Sequence, residues 1–139
     1  MLIKEIMTKN PITIDENSSI FEAAEIYKKN NIGCLLILKD SKCIGIITER
    51  DIIERTICEK KDIEKTKVKD IMSTDVFTIH DLEKVEKAIE IMSKYNIKKL
   101  PVLHDNILVG IITATDISRA RPDLSTRFMD SWVKPDWDD

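Results

Sequence analysis

Residues 3–52 read IKEIMTKNPITIDENSSIFEAAEIYKKNNIGCLLILKDSKCIGIITERDI, and residues 68–117 read VKDIMSTDVFTIHDLEKVEKAIEIMSKYNIKKLPVLHDNILVGIITATDI. The second stretch aligns with the first at a constant offset of 65 residues without a gap, and 20 of the 50 aligned positions are identical. Chance does not produce an ungapped match of this length, so the chain is a tandem duplication. Because stacked arrays generally need three or more units, two copies that face each other around a pseudo-two-fold axis are the better solution.

The apolar pattern predicts the same order of elements, β-α-β-β-α, in each copy. Short strands are expected at 11–14 and 76–79, and longer apolar strands at 35–38, 44–48, 100–103 and 109–113. Helices are expected to begin at Ser19, where Glu22 completes a capping box, and at Asp81, and to stop near Asn31 and Asn96. A second helix follows the last strand of each copy. The expected fold class is α/β, with an α+β layered arrangement of small sheets.

The repeat also predicts where the chain divides. We expect one unit at 1–60, a charged linker at 61–67, a second unit at 68–121 and a C-terminal tail at 122–139. The tail contains both tryptophans, Trp132 and Trp137, and it either docks on a partner or a second subunit or packs on its own module.

Composition and charge exclude several classes of protein. Of the 139 residues, 42% are hydrophobic and 34% are charged, which is an ordered globular composition. The formal net charge of −3 provides no basic field that would recruit nucleic acid. Because neither an apolar run of 18 residues nor a signal-peptide layout occurs, we expect a soluble cytoplasmic protein without a membrane segment.

Side chains suited to catalysis or metal binding are scarce. Cys34, Cys43 and Cys58 form no CxxC pair and are expected to be reduced thiols, and no Cys/His spacing predicts a metal site. None of the GxSxG, HExxH, P-loop and GxGxxG motifs is present. His80 and His104 do not recur in the other copy and are interpreted as surface residues rather than bases. The sequence therefore predicts a protein that is not an enzyme and that requires no cofactor.

The motif Gly-Ile-Ile-Thr-x-x-Asp-Ile does recur, at 45–52 and 110–117. Two interpretations are open. In the first, Thr48 and Thr113 are N-caps with an acid at the third helical position, and the glycines permit tight strand packing. In the second, the helix start and the Thr hydroxyl bind a phosphate, and Asp51 or Asp116 accepts hydrogen bonds from a ribose diol. The glycine then lets a flat ring approach the backbone.

The sequence over residues 3–117 resembles cystathionine-β-synthase-type (CBS) domains in tandem. The features that carry the resemblance are the ungapped duplicate, the EIM and DIM openings, the Asn-Ile-x-x-Leu segments and the GIIT-x-x-D motifs. The resemblance implies a Bateman module, in which two units pair through their sheets and leave two pseudo-symmetric clefts. Such clefts commonly bind AMP, ADP, ATP or, in some members, S-adenosylmethionine and relatives. Modules of this family often pair head to head, so the resemblance also implies a homodimer.

Carried over by motif, the resemblance implies one cleft around Asp116 and another around Asp51. The first would use Asn10, Ile32, Ile111, Thr113, Thr115 and Asp116. The second would use Asp75, Ile97, Ile46, Thr48, Arg50 and Asp51. In each cleft, the aspartate would bind the ribose hydroxyls and the threonine would bind the phosphate. The base would pack against the strand isoleucine, Ile111 or Ile46. Lys98 and Lys99 either reach a phosphate or form a solvated pair at a strand start.

The two clefts differ in charge, and we expect them to differ in affinity. Asp116 is the last residue of the sequence Thr-Ala-Thr-Asp, whereas Asp51 is the last residue of Thr-Glu-Arg-Asp. Arg50 can clamp a phosphate through two hydrogen bonds, but Glu49 would repel one, and Asp75 stands where the other copy has Asn10. The Asp116 cleft is therefore predicted to bind more tightly.

The leading functional prediction is a stand-alone sensor that binds an adenine nucleotide or a related adenosyl ligand and acts on an effector protein, or through its own dimer. An alternative is a scaffold or nucleic-acid-binding protein in which the Thr-x-x-Asp motifs are only helix caps. The acidic net charge argues against nucleic acid. A weak enzyme acting on the nucleotide would have only the aspartates as recurring bases. The choice of adenosyl ligand, the number of occupied clefts and the orientation of the dimer are left open.

Overall fold

The computed structural model describes residues 1–124 and consists of two compact units. We call residues 1–10 together with residues 77–124 the split unit, and Pro11–Val76 the continuous unit. Both tryptophans of the predicted tail lie outside the described residues.

Helices and strands alternate along the chain, and the mixed α and β class is confirmed. In chain order the elements are α1 (Ile3–Ile6), β1 (Thr8–Lys9), β2 (Thr13–Asp15), α2 (Ile20–Lys29), β3 (Leu35–Lys39), β4 (Lys42–Ile47), α3 (Glu49–Ile52), a π-helical turn (Ile53–Ile57), α4 (Val68–Ile71), β5 (Ile79–His80), α5 (Val85–Tyr95), β6 (Lys99–His104), β7 (Ile107–Thr113) and α6 (Ala114–Ala120). The predicted β-α-β-β-α order is present in both copies. Each copy begins with a four-residue helix, α1 or α4, that the sequence pattern did not predict.

Each unit contains one small sheet. The sheet of the continuous unit has the order β2-β3-β4, and that of the split unit has the order β1-β7-β6-β5. In each, a short strand (β2 or β5) runs parallel to its neighbour, and the next two strands form an antiparallel hairpin. The additional strand β1 pairs antiparallel with β7. A β-bulge interrupts each hairpin at equivalent positions, after Ile37 and after Val102. The two copies therefore fold alike down to local irregularities.

A separate apolar core stabilises each unit. In the split unit, fully buried side chains from α1, α5, β6, β7 and α6 pack together, namely Ile3, Val85, Met92, Leu100, Ile112 and Ile117. In the continuous unit, the equivalent core includes Ile20, Leu35, Ile37, Ile47 and Val68. At roughly 1.5–3 kcal/mol for each fully buried side chain, these cores are the main favourable contribution to folding.

The first helix of the first copy completes the unit of the second copy. Ile3 N–H donates to the Glu83 carbonyl over 2.9 Å, and Val85 N–H donates to the Met1 carbonyl over 3.1 Å. Ile3 is fully buried in the core of the split unit. The opening segment of the second copy does the same for the first.

The reciprocal segment occupies the continuous unit with the same hydrogen bonds. Val68 N–H donates to the Ser18 carbonyl over 2.8 Å, and Ile20 N–H donates to the Thr66 carbonyl over 3.0 Å. The predicted boundaries at 60, 67 and 121 follow the sequence repeat, whereas the compact units divide the chain after Asn10 and after Val76. This difference arises because each copy exchanges its opening helix with the other.

Gly45 and Gly110 are required by the crossing of the exchanged segment. A Cβ atom on Gly110 would lie 2.7 Å from the Thr8 carbonyl oxygen and 2.6 Å from the Met7 sulfur. A Cβ atom on Gly45 would lie 3.1 Å from the Ser73 carbonyl oxygen and would also overlap Met72. These glycines therefore permit tight strand packing, which was the first of the two interpretations of the motif.

Several predicted element boundaries were wrong. Helix α5 begins at Val85 and not at Asp81, because the backbone of Asp81 is already engaged: its N–H donates to Leu103 and its carbonyl accepts from Lys4, both over 2.9 Å. The first strands begin at Thr13 and Ile79, two and three residues later than predicted. The N-cap at Ser19 is confirmed, since its hydroxyl accepts from the Glu22 N–H over 3.1 Å.

We expect Gly110→Ala to destabilise the protein by about 1–3 kcal/mol, because the added methyl group must displace the backbone of β1. Urea unfolding measures this free energy. Gly33→Ala is the matched control, since Gly33 is exposed and does not require a positive φ. Equal free energies of unfolding for the two variants would contradict the close approach.

Candidate functional site

Both Thr-x-x-Asp motifs form complete capping boxes at the junction of a strand and a helix. Thr113 Oγ1 accepts from the Asp116 N–H over 3.1 Å, and Thr113 N–H donates to Asp116 Oδ2 over 3.0 Å. The pair Thr48 and Asp51 repeats this geometry with distances of 3.2 and 2.9 Å. The capping interpretation is therefore confirmed in both copies.

The capping bonds do not use all the hydrogen-bonding groups of these side chains. The box uses one lone pair of the Thr hydroxyl and one oxygen of the carboxylate, and it leaves the hydroxyl proton and Oδ1 to other partners. Thr113, Asp116, Thr48 and Asp51 are all half-buried. Each unit thus presents a fixed hydroxyl donor and a fixed carboxylate acceptor three residues apart, so capping and ligand binding are compatible.

An arginine distinguishes the site of the continuous unit. Arg55 Nη2 lies 3.6 Å from Asp51 Oδ1, the oxygen that the capping box leaves available. Arg55 also donates to the Ile71 carbonyl over 2.7 Å and to Ser73 Oγ over 3.3 Å, which ties it to the exchanged segment. At the offset of 65 the split unit has Ala120 in this place. Sequence reasoning missed Arg55, although its position four residues after Asp51 on a helix was a usable signal.

Arg50, the predicted phosphate clamp, lies on the exposed side of its helix. Its Nε donates to Glu54 over 2.7 Å, and 82% of its side chain is exposed. Thr115, the equivalent residue in the split unit, is also exposed. Within each unit, the capping threonine and aspartate are therefore better enclosed than the residue between them.

Tyr27 is a second feature of the continuous unit that sequence reasoning missed. Its hydroxyl donates to the Ile47 carbonyl over 2.8 Å, at the end of the strand that precedes Thr48. Burial, followed by the nearby negative charges that include Asp51, raises the pKa of the Tyr27 phenol above its ordinary value. The phenol therefore remains a hydrogen-bond donor at neutral pH. The split unit has Met92 at this position.

Lys99 lies across the β6–β7 strand pair from the capping threonine of the split unit. It is the residue directly opposite Thr113 in the antiparallel β6–β7 pair, so the two side chains project from the same face. Lys98 is exposed, and its carbonyl accepts from the Ala114 N–H over 2.9 Å. The N–H of the first helical residue is thus already engaged, and an anionic group would depend on the Thr113 hydroxyl and the Lys99 ammonium.

The remaining predicted residues are distributed over both units. The split unit contains the strand residue Ile111, which is buried, and Asn10, which is exposed with a φ of 53°. The continuous unit contains the half-buried Ile46 and the exposed Asp75.

Ile32 and Ile97 belong to the other unit in each case. Ile32 was predicted with the Asp116 set and lies in the continuous unit, where it packs on the core. Ile97 was predicted with the Asp51 set and packs on the core of the split unit. Each predicted set therefore consists of five residues from one unit and one from the other.

Comparison with known proteins identifies the family. The family model for the CBS domain matches the chain twice, at residues 3–57 and 68–123. The chain belongs to the CBS-domain family. The two matches correspond to the two copies of the repeat, and the capping boxes described above lie near the end of each CBS domain.

Several CBS proteins resemble the chain over most of its length. The CBS domain pair of protein MJ0100, in complex with 5′-methylthioadenosine and S-adenosyl-L-methionine, is 41% identical, covers 88% of this chain and 97% of its own, and superposes with a TM-score of 0.76. The CBS domain-containing protein YhcV of Bacillus subtilis is 32% identical, over 84% of this chain and 82% of YhcV.

An enzyme is also among the relatives. The L-aspartate semialdehyde sulfurtransferase of Methanocaldococcus jannaschii is 45% identical over 120 residues. This match covers 85% of the chain but only 23% of the sulfurtransferase, so the chain spans about a quarter of that relative's length. In residues 1–124, none of the helices has the length and apolar character needed to cross a membrane.

We expect Asp116→Ala to lower the free energy of unfolding by about 1 kcal/mol, because the Thr113 N–H loses its acceptor in the capping box. Asp116→Asn should have a smaller effect, because its amide oxygen still accepts from the Thr113 N–H. Urea unfolding of the two variants measures the difference. An equal loss of stability in both would show that the charge of Asp116, and not the capping bond, stabilises the helix start.

Proposed function

We propose that the chain is a non-catalytic regulatory module that binds an adenosine-containing ligand through its Thr-x-x-Asp motifs. The observation that carries the proposal is the double capping box, which holds a half-buried hydroxyl and a half-buried carboxylate in a fixed relation in each unit. The carboxylate oxygen outside the box can accept hydrogen bonds from a vicinal diol, as acidic residues do for ribose. The MJ0100 domain pair, which contains two adenosyl ligands in its crystal, supports this ligand class.

The residues around the box suit the other parts of such a ligand. Ile111 or Ile46, on the strand that leads to the threonine, offers apolar surface to the base. In the split unit, Thr113 and Lys99 offer a hydroxyl and an ammonium group on one face. These groups can bind the phosphate of AMP, ADP or ATP as well as the carboxylate of S-adenosylmethionine. Adenosine is the part that all these ligands share.

The split unit is expected to contain the tighter site. Asp116 has no arginine four residues further along its helix, whereas Asp51 is paired with Arg55 at 3.6 Å. A diol that binds Asp51 must compete with this ion pair. The continuous unit also has Cys34 where the split unit has Lys99, so it lacks one cation for an anionic group.

A regulatory role requires that the ligand binds one state of the module better than another. We propose that the state favoured by the ligand is recognised by an effector protein or within a homodimer, in the cytoplasm. Catalysis is not part of the proposal, because the aspartates are the sole recurring candidates for a general base at the motifs.

Isothermal titration with S-adenosylmethionine, 5′-methylthioadenosine, AMP, ADP and ATP tests the proposal, with GTP as the control for the base. We expect at least one adenosine ligand to bind and GTP not to bind. Asp116→Asn, which retains the capping acceptor, should weaken the tighter site at least tenfold, and Asp51→Asn should leave it unchanged. At a hundred times its dissociation constant, the ligand should stabilise the fold by about 2.7 kcal/mol.

One result would overturn the proposal, and another would overturn the expected difference between the two sites. If none of the adenosine ligands binds, the motifs serve as helix caps only, and the module is a scaffold for a partner. If Asp51→Asn and Asp116→Asn weaken binding equally, the predicted difference between the two sites is wrong.

A further inference from the structure

Both histidines of the chain lie side by side in the split unit. His80 ends β5 and His104 ends β6, and these neighbouring strands run parallel, so their last residues meet at one edge of the sheet. The ring centroids are 5.2 Å apart. The sequence contains two histidines, so both of its imidazole side chains lie in this cluster.

A buried carboxylate lies between the two rings. Asp81 is 9% exposed, and its Oδ1 is 2.8 Å from His104 Nδ1 and 3.2 Å from His80 Nδ1. A second carboxylate, that of Asp105, lies on the outer side of both rings, 3.6 Å from His80 Nε2 and 3.5 Å from His104 Nε2. Two acceptor-rich groups thus flank each imidazole.

The rings of the cluster are accessible to solvent, since 38% of the His80 side chain and 47% of the His104 side chain are exposed. An open pocket of about 370 Å³, lined by Thr78, Ile79, His80, Leu103, Asp105 and Asn106, gives solutes access to the His80 ring.

The equivalent place in the continuous unit shows that the fold itself does not require imidazoles. At the offset of 65, Glu16 replaces Asp81 and Lys39 replaces His104, and Lys39 Nζ lies 3.6 Å from Glu16 Oε1. One ion pair between the end of β3 and the turn after β2 is sufficient there. The split unit has instead a set of side chains that can also coordinate a metal.

We propose that His80, Asp81 and His104 bind one divalent transition-metal ion of the zinc class. Each residue offers one ligand atom, and the three atoms lie within 4.8 Å of one another. Imidazole nitrogen and carboxylate oxygen bind Zn²⁺ at about 2.0–2.2 Å, and three protein ligands leave a fourth position for water or for Asp105. Both rings are partly exposed and can turn by the small amount that coordination requires.

Coordination carries one identifiable penalty. The Leu82 N–H donates to His80 Nδ1 over 3.1 Å, which places the proton of the neutral ring on Nε2. A metal on either nitrogen removes this bond. The bond is exposed, so water replaces it at little loss of free energy.

The metal site lies at the end of β6 away from the capping box. Lys99, opposite Thr113, begins β6 and His104 ends it, which separates the two places by about 17 Å of strand. Asp81 also accepts the Lys4 N–H at its carbonyl, so the ion would stabilise the turn that receives helix α1. The bound metal would therefore stabilise the split unit independently of an adenosine ligand.

Titration of chelator-treated protein with ZnCl₂, followed by NMR of the imidazole signals, tests the proposal. Since the chain has two histidines, His80→Asn and His104→Gln assign both signals. We expect the two signals to change together and to saturate at one ion per chain. Asp81→Asn and His104→Gln should each weaken Zn²⁺ binding at least tenfold, while the control Glu16→Gln, at the equivalent position, leaves it unchanged.

Thiols are the competing ligands, because all three cysteines are free. A variant with Cys34, Cys43 and Cys58 replaced by serine should bind Zn²⁺ as tightly as the native chain. Loss of binding in this variant would overturn the proposal in favour of a thiolate site. Unchanged imidazole signals at equimolar Zn²⁺ would overturn it in favour of a simple His104–Asp81 ion pair. Circular dichroism of each variant checks that the fold is retained.

Discussion

The exchange of one short helix between the two copies is the constraint on which the rest of the structure depends. Helix α1 contributes the fully buried Ile3 to the split unit, and α4 contributes Val68 to the continuous unit. Neither copy can complete its core without a segment from the other. The close approach is possible because Gly45 and Gly110 carry no Cβ, so the glycine of the family motif is explained by packing. The threonine and aspartate that follow it cap the helix and also offer a hydroxyl donor and a carboxylate acceptor.

The duplication gave both units the same backbone fold, and side-chain differences gave them different chemistry. The capping boxes agree to about a tenth of an ångström, since the backbone dictates their geometry. The surroundings differ at Arg55, Tyr27 and Lys99, none of which has an equivalent of the same chemistry in the other copy. The edge that bears His104 differs in the same way. The shared motif therefore indicates the class of ligand, and the differences indicate how the two units diverge in what they bind.

Sequence alone predicted the repeat, the order of the main elements and the capping boxes, because apolar periodicity and Thr-x-x-Asp spacing are local signals. It could not predict the exchange, since a four-residue helix has too few turns to show a period. It misplaced the start of α5 because Asp81 is an acceptable N-cap by type, and only the tertiary bonds of its backbone exclude that role. The pairing of His80 with His104 was missed because it depends on the register of two parallel strands.

Native-state hydrogen exchange of the amides that join the exchanged segments is the most direct test of the interlocked fold. We expect Ile3 and Val85, which are far apart in sequence, to exchange only through global unfolding, with opening free energies within about 0.5 kcal/mol of the strand amides of β6. Val68 and Ile20 should behave alike in the continuous unit. Rapid exchange of Ile3 and Val85 by local opening, while the β6 amides remain protected, would show that the exchanged helix is an accessory and not a part of the core.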